Sequence, residues 1–193
     1  MEYDFKTPFI QRNLSPYFVI FNMIHPPMKK LFIIITVITS ALASCEKLSE
    51  SGLEIYLLTD YQKKSPASEI ISGSEKLSEN PIISYNDIIL YDSTEHYFQI
   101  AESKAQELRQ IKWSTQGTAF SLTINKQIIY SGYFMPGYSS LGLNWISIDP
   151  LAFDSKIRVT LGYPVDWPQF QGPDPRNDSR IINYLRKDNK LKQ

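Results

Sequence analysis

The chain has 193 residues, with 20 basic and 20 acidic side chains. Residues 1–44 hold four of the basic and two of the acidic ones, so the remaining 149 residues carry 16 basic against 18 acidic side chains. That balance leaves no electrostatic footprint for nucleic acid, and the length suits one domain that folds without a disulfide or metal staple.

Residues 1–27 include an apolar patch at 17–24 closed by His25-Pro26-Pro27. They are read as an extension from a mis-set gene start, with Met28 as the expected first residue. Lys29 and Lys30 follow, then a run of twelve residues, 31–42, without charge. As a helix this run spans about 18 Å, short of the roughly 30 Å hydrocarbon core. A basic start, an apolar middle and small residues at the end make 28–44 a signal peptide.

The run ends Leu42-Ala43-Ser44-Cys45. This resembles the lipobox of bacterial lipoproteins, which ends in a lipid-bearing cysteine. The resemblance implies that signal peptidase reads Leu42, Ala43 and Ser44, and that the Cys45 thiol takes a diacylglycerol thioether. The mature chain then begins at Cys45 and is held by lipid to a membrane of the bacterial cell envelope. It also accounts for a lone cysteine in a secreted chain, since such cysteines normally pair. Residues 45–52 are polar and form a tether. Glu46 and Glu50 loosely resemble the acidic surface-export signal of Bacteroidetes-type lipoproteins, which leaves the periplasmic face and the cell surface both open.

Residues 53–187 read as a single α+β domain with a small mixed or antiparallel sheet and two main helices. Short apolar runs at 53–58, 88–91 and 96–100 predict strands, the first buried on both faces. Residues 60–80 read as a long loop with a helical turn at 67–71; loops of this length are often binding segments. Ser84 is placed to cap a single turn. Ala105, Leu108 and Ile111 recur three apart and predict an amphipathic helix over 102–111. Phe120, Leu122 and Ile124 alternate with polar residues and lead into Ile128, Ile129 and Tyr130. A two-residue turn at Asn125-Lys126 would set Ile124 against Gln127, so a three-residue loop through Gln127 is expected, pairing Ile124 with Ile128 and Leu122 with Tyr130. Residues 133–144 read as a loop, 145–148 and 157–161 as strands, and 162–172 as a second loop. Asp174-Pro175 predicts a helix start, the carboxylate capping and the proline at the first helical position. Residues 188–193 are left as a tail.

Residues 83–130 order a turn at Asn86-Asp87, a strand, a helix around Ala105, the entry Gly117-Thr118-Ala119-Phe120 and a hairpin ending Ile128-Ile129-Tyr130. This is similar to the head of the first periplasmic domain of the SecD export component and covers about a quarter of the chain. It implies a ferredoxin-like sheet and contact with polypeptides rather than catalysis. The family's Asp-Gly turn is Asn125-Lys126 here.

Beyond residue 44 the chain has one histidine, His96, and one cysteine, Cys45. A zinc site draws three or four ligands from His, Cys and carboxylate, and no calcium-loop spacing occurs. No metal and no cofactor is expected. A Ser-His-Asp triad would have to use His96, with Glu95 and Asp92 near in sequence, whereas triad partners converge from different elements. His96 is read as a surface residue at a strand start. Glu54, Asp87, Asp92, Asp166, Asp174 and Asp178 supply the carboxylates for the alternative function, a weak hydrolase using an acid pair. The basic residues Arg176, Arg180, Arg186, Lys187, Lys190 and Lys192 read as a solvated helix face and tail, with a weak anionic contact as the sharper option.

Aromatic residues crowd 133–145 and 163–170. Sealing the core explains most of them. The candidate binding surface is Tyr138, Tyr163 and Trp167, at loop ends set to open toward one side. The function expected is a non-enzymatic binding module for an envelope protein or glycan.

Overall fold

In the computed structural model, residues 52–65, 68–151, 154–165, 170 and 172–193 are described. The lipobox Leu42 to Cys45 and Trp167 therefore lie outside the described residues, and those that are described belong to the compact unit Ser49–Gln193. The elements are β1 (Leu53–Asp60), β2 (Lys76–Leu77), a 3-10 turn (Tyr85–Asp87), β3 (Ile88–Asp92), β4 (Tyr97–Ile100), α1 (Glu102–Gln110), β5 (Thr118–Ile124), β6 (Gln127–Phe134), β7 (Leu143–Ile148), β8 (Lys156–Tyr163), α2 (Ser179–Lys187) and β9 (Leu191–Lys192).

The fold is mixed α+β. The strands join in one sheet in the order β2-β1-β5-β6-β7-β8-β4-β3-β9. Pairs β6–β7 and β3–β9 are parallel and the others antiparallel. This corrects the expectation of a small, ferredoxin-like sheet. Nine strands share one sheet because β8 pairs with β4 as well as β7, a junction between segments some sixty residues apart that no local pattern announces. Ile82 and Ile83 bond to Ile55 on the outer edge of β1. Five residues after Ile83 the chain enters β3 near the opposite end of the strand order, so a short connection links the two ends.

One face of the sheet carries the core. Leu53, Ile55, Phe98, Phe120, Leu122, Phe134, Ile148 and Val159 meet Ala105 and Leu108 of α1 and Ile181 and Leu185 of α2 in one buried cluster. The alternate residues Ala119, Tyr133 and Leu143 point to the other face, where Met135 and Ile70 complete a second cluster. Period-2 alternation thus splits β5 to β7 between two apolar layers.

Residues 60–80 are expected as an open loop with a helical turn at 67–71; residue 67 lies outside the described residues, and Ser68 to Ile70 lie over that second face. Lys63 bridges Ile70, the Lys64 N–H donates to the Glu69 carbonyl, and the Tyr133 hydroxyl donates to the Ser68 carbonyl at 3.1 Å. Ser84 precedes a single turn as expected: Asp87 accepts from its backbone N–H and hydroxyl at 2.8 and 2.7 Å.

Three expectations are corrected by geometry. The hairpin turn has two residues, not three: Asn125 and Lys126 both have positive φ, 52° and 63°, the combination of a type I′ turn. Ile124 does face Gln127, and Leu122 still faces Tyr130 because the register shifts between Leu122 and Thr123. A bulge restores the apolar face that the tight turn alone would have inverted. The last helix starts four residues beyond Pro175. Asp174 is taken up by the Arg176 guanidinium, and Asp178 caps instead, accepting from the Arg180 N–H. Residues 188–193 are not a free tail, since Leu191 and Lys192 pair with Tyr91 and Asp92 of β3.

Candidate functional site

Tyr133 and Phe134, expected in a loop, end β6 and are buried. The loop that follows, 135–142, is held by three side-chain contacts. The Tyr138 hydroxyl donates to the Trp113 carbonyl at 3.0 Å, Ser139 Oγ to the Thr115 carbonyl at 2.6 Å, and the Tyr163 hydroxyl lies 3.1 Å from the carbonyls of both Pro136 and Ser139. Tyr163 also packs against the second core cluster, and burial pushes its phenol pKa up. So the structure brings Tyr163 to the loop that carries Tyr138, but as its anchor. Tyr138 remains 57% exposed and Leu141 48%. Leu141 is the member of this surface that sequence reading left out; its loop position gave no periodicity to mark it.

His96, expected at a strand start, is the turn residue just before β4, with φ 54°, and is half-buried. Its Nδ1 lies 3.4 Å from the Tyr91 hydroxyl. Burial, then the neighbouring Arg176, holds its pKa below the ordinary value. It lines a hollow of about 300 Å³ with Arg158, Arg176, Thr94 and Val165. Both arginines are already paired, Arg158 with Glu95 at 3.1 Å and Arg176 with Asp174 at 2.7 Å. The hollow therefore offers no net excess of positive charge.

The candidate acids are likewise engaged. Glu54 accepts from the Tyr56 hydroxyl at 2.8 Å; burial, then this hydrogen bond, pushes Tyr56 up to about 12. Asp87 accepts from Ser84, Asp92 pairs with Lys192, and Asp178 with Arg180. Asp166 lies outside the described residues. Among the described residues no three His, Cys, Asp or Glu converge on a metal position, and no helix is long and apolar enough to cross a membrane. The basic cluster is partly consumed as well. Arg176, Arg180 and Lys192 sit on carboxylates, and the Lys190 ammonium on backbone carbonyls.

A second cavity, of about 340 Å³, opens where β6 and β7 part. These strands pair only at Tyr133–Ser147 and Phe134–Ile148. At Gly132 the strands are tight enough that a Cβ would lie 2.6 Å from the Ile146 carbonyl oxygen. Before that point the Trp145 indole reaches across and donates to the Ser131 carbonyl at 2.9 Å. Its ring packs on Phe170, centroids 5.2 Å apart. Ile128, Ile129 and Pro173 supply an aliphatic wall, and Glu69 and Glu75 an acidic rim. Tyr130 also lines this cleft, and its hydroxyl is buried with no hydrogen-bond partner among the described residues.

No family model matches this chain, and neither a curated protein nor a solved structure matches it.

Proposed function

We propose that the chain is a lipid-anchored module of the bacterial cell envelope that binds another protein and catalyses no reaction. The sequence Leu42-Ala43-Ser44-Cys45 supports the address. The observation that carries the binding reading is the surface formed by Tyr138 and Leu141. Two large apolar side chains are exposed on a loop fixed by the Tyr163, Tyr138 and Ser139 contacts. A loop already ordered loses little conformational entropy when a partner covers it, and an apolar centre with a polar rim is the usual make-up of an interface.

The position of the loop fits that role. Gly52, through which the chain continues toward Cys45, accepts from the Asn125 N–H at 3.1 Å. It therefore lies at the turn end of β5, and loop 135–142 follows the opposite end. Seven residues of strand separate the two by roughly 20 Å.

The test uses the lipidated protein in its own envelope with a photo-crosslinking residue at position 141. Capture of one envelope protein, lost when Tyr138→Ala is added, supports the reading. Retention on an envelope polysaccharide without protein capture would assign the surface to a glycan instead. Cys45→Ala should leave an unanchored precursor that high salt washes off, because a single acyl chain already contributes about 0.8 kcal/mol per buried CH₂ and the anchor carries several chains. Membrane retention of that variant would remove the lipobox reading.

A further inference from the structure

We propose that the cleft between β6 and β7 takes the side chain of one lysine or arginine from a protein partner; this rests on the reading of the chain as a protein-binding module. Three features of the cleft point to that chemistry. Its wall is aliphatic over Ile128, Ile129 and Pro173, the kind of surface along which the methylene stem of a long basic side chain lies. Its end carries the Trp145–Phe170 ring pair, and indole is the best aromatic partner for a cation. Its rim holds Glu75, a half-buried carboxylate.

Glu75 decides the charge. One of its oxygens accepts from Ser131 Oγ at 3.0 Å and the other from the Gly73 N–H at 2.6 Å. Both donors are neutral. Neighbouring Glu69 is paired with Lys64 and Lys76 with Asp60, whereas no cation pairs with Glu75 among the described residues. A carboxylate already oriented by two donors and bordered by apolar surface gains from an incoming ammonium or guanidinium more than a solvated one would.

The same features argue against a sugar ring. A sugar needs a fan of free polar partners beside the ring, and here the indole N–H is already spent on the Ser131 carbonyl. A volume of about 340 Å³ also lies at the small end of ligand cavities, roughly 300–1,000 Å³, and suits one side chain rather than an oligosaccharide.

The chain has three tryptophans, so ¹⁵N-indole labelling of the full lipidated protein in nanodiscs gives a sparse spectrum, with the Trp145 signal identified by Trp145→Phe. The probes are the blocked tripeptide Gly-Lys-Gly, its Arg counterpart, the Nε-acetyl-lysine version and chitotriose. The Lys and Arg peptides should shift the Trp145 signal saturably, and the acetylated peptide and chitotriose should not. Glu75→Gln keeps an acceptor for Ser131 and should weaken the Lys peptide about tenfold, the loss of one charge-assisted contact. If that variant fails to fold, 0.5 M salt on the native protein should produce a weakening in the same direction. A silent Trp145 signal, equal response to the acetylated peptide, or a chitotriose shift would overturn the proposal. Failure here with protein capture at position 141 intact would sink the cleft alone and leave the binding-module reading standing.

Discussion

The Lys190 ammonium lies 4.0 Å from the centroid of the Tyr85 ring. It donates to the Tyr85 carbonyl at 3.0 Å and to the Ile88 carbonyl at 2.6 Å. The Tyr85 hydroxyl answers by donating to Asp188 at 2.5 Å. The turn after α2 is thereby locked to the 3-10 turn before β3, and the chain is delivered into β9. Burial holds Lys190 below the usual lysine range and, with Asp188, raises the Tyr85 phenol.

Replacing Lys190 with methionine keeps most of the stem and leaves two carbonyls without their charged donor. Hydrogen bonds to charged groups contribute about 1.5–3 kcal/mol, so Lys190→Met should lower unfolding free energy by about that amount in urea titration. A loss below about 0.5 kcal/mol, the range of ordinary surface substitutions, would mean that the lock is idle.

Asp92 ties the other side of β9. Its side chain is 3% exposed and accepts from Lys192 at 2.8 Å. Lys192, with the Glu95 and Thr94 N–H groups, brings its pKa down to about 2. A depressed carboxylate stabilises the folded state fully above the ordinary Asp value near 4 and loses that contribution as pH falls through about 2. Between those limits β9 should loosen, read as faster exchange of the Ser93 amide, which donates to the Lys192 carbonyl. Asp92→Asn should flatten this pH dependence; an unchanged slope would place the acid sensitivity elsewhere.

Tyr130 carries a buried hydroxyl with no partner among the described residues, and burial drives its pKa far up. Burying an unsatisfied donor costs about 1–3 kcal/mol. Tyr130→Phe removes that cost and keeps the ring among Phe120 and its neighbours. Thermal denaturation should show equal or higher stability, by about 1 kcal/mol. A clear loss would reveal a partner for the hydroxyl.

Lys126 holds φ at 63° in the hairpin turn, a region that costs a non-glycine residue about 1–2 kcal/mol. Glycine adopts it freely but loses more entropy on folding. Lys126→Gly should therefore stabilise by about 0.5–1 kcal/mol, seen as a raised midpoint in urea at unchanged slope. Destabilisation would show that the ammonium makes a contact worth more than the strain.

The hairpin shows why local pattern was only partly legible. The apolar alternation correctly set Leu122 against Tyr130, because that pair is dictated by which face is buried. It misjudged the turn, because a bulge can absorb the odd residue and leaves no mark in composition. At Asp174-Pro175 the expected cap was misplaced, because Arg176 binds Asp174 bidentately and Asp178 takes over the cap. Two acids four residues apart are equal candidates until their partners are placed. For the candidate surface, Tyr138 was legible as an exposed-type aromatic in a Gly- and Ser-rich loop, whereas the anchoring role of Tyr163 depends on a contact 24 residues away in sequence.

By itself the sequence determined the balance of charge, most of the apolar strands, and Ala105 and Leu108 as the buried positions of α1, though Ile111, expected on the same face, lies past the helix end and is exposed. These follow from local composition and from side-chain periods of 2 and 3.6 residues. Only the tertiary structure decided that nine strands share one sheet, that Ser68 and Ile70 lie over its second face, that the C-terminal residues form a strand, and that a cleft opens beside Glu75. Each of these depends on pairing or packing between distant segments, such as β4 with β8 or Tyr85 with Lys190. The free energy of those contacts belongs to the pair and is carried by neither segment alone.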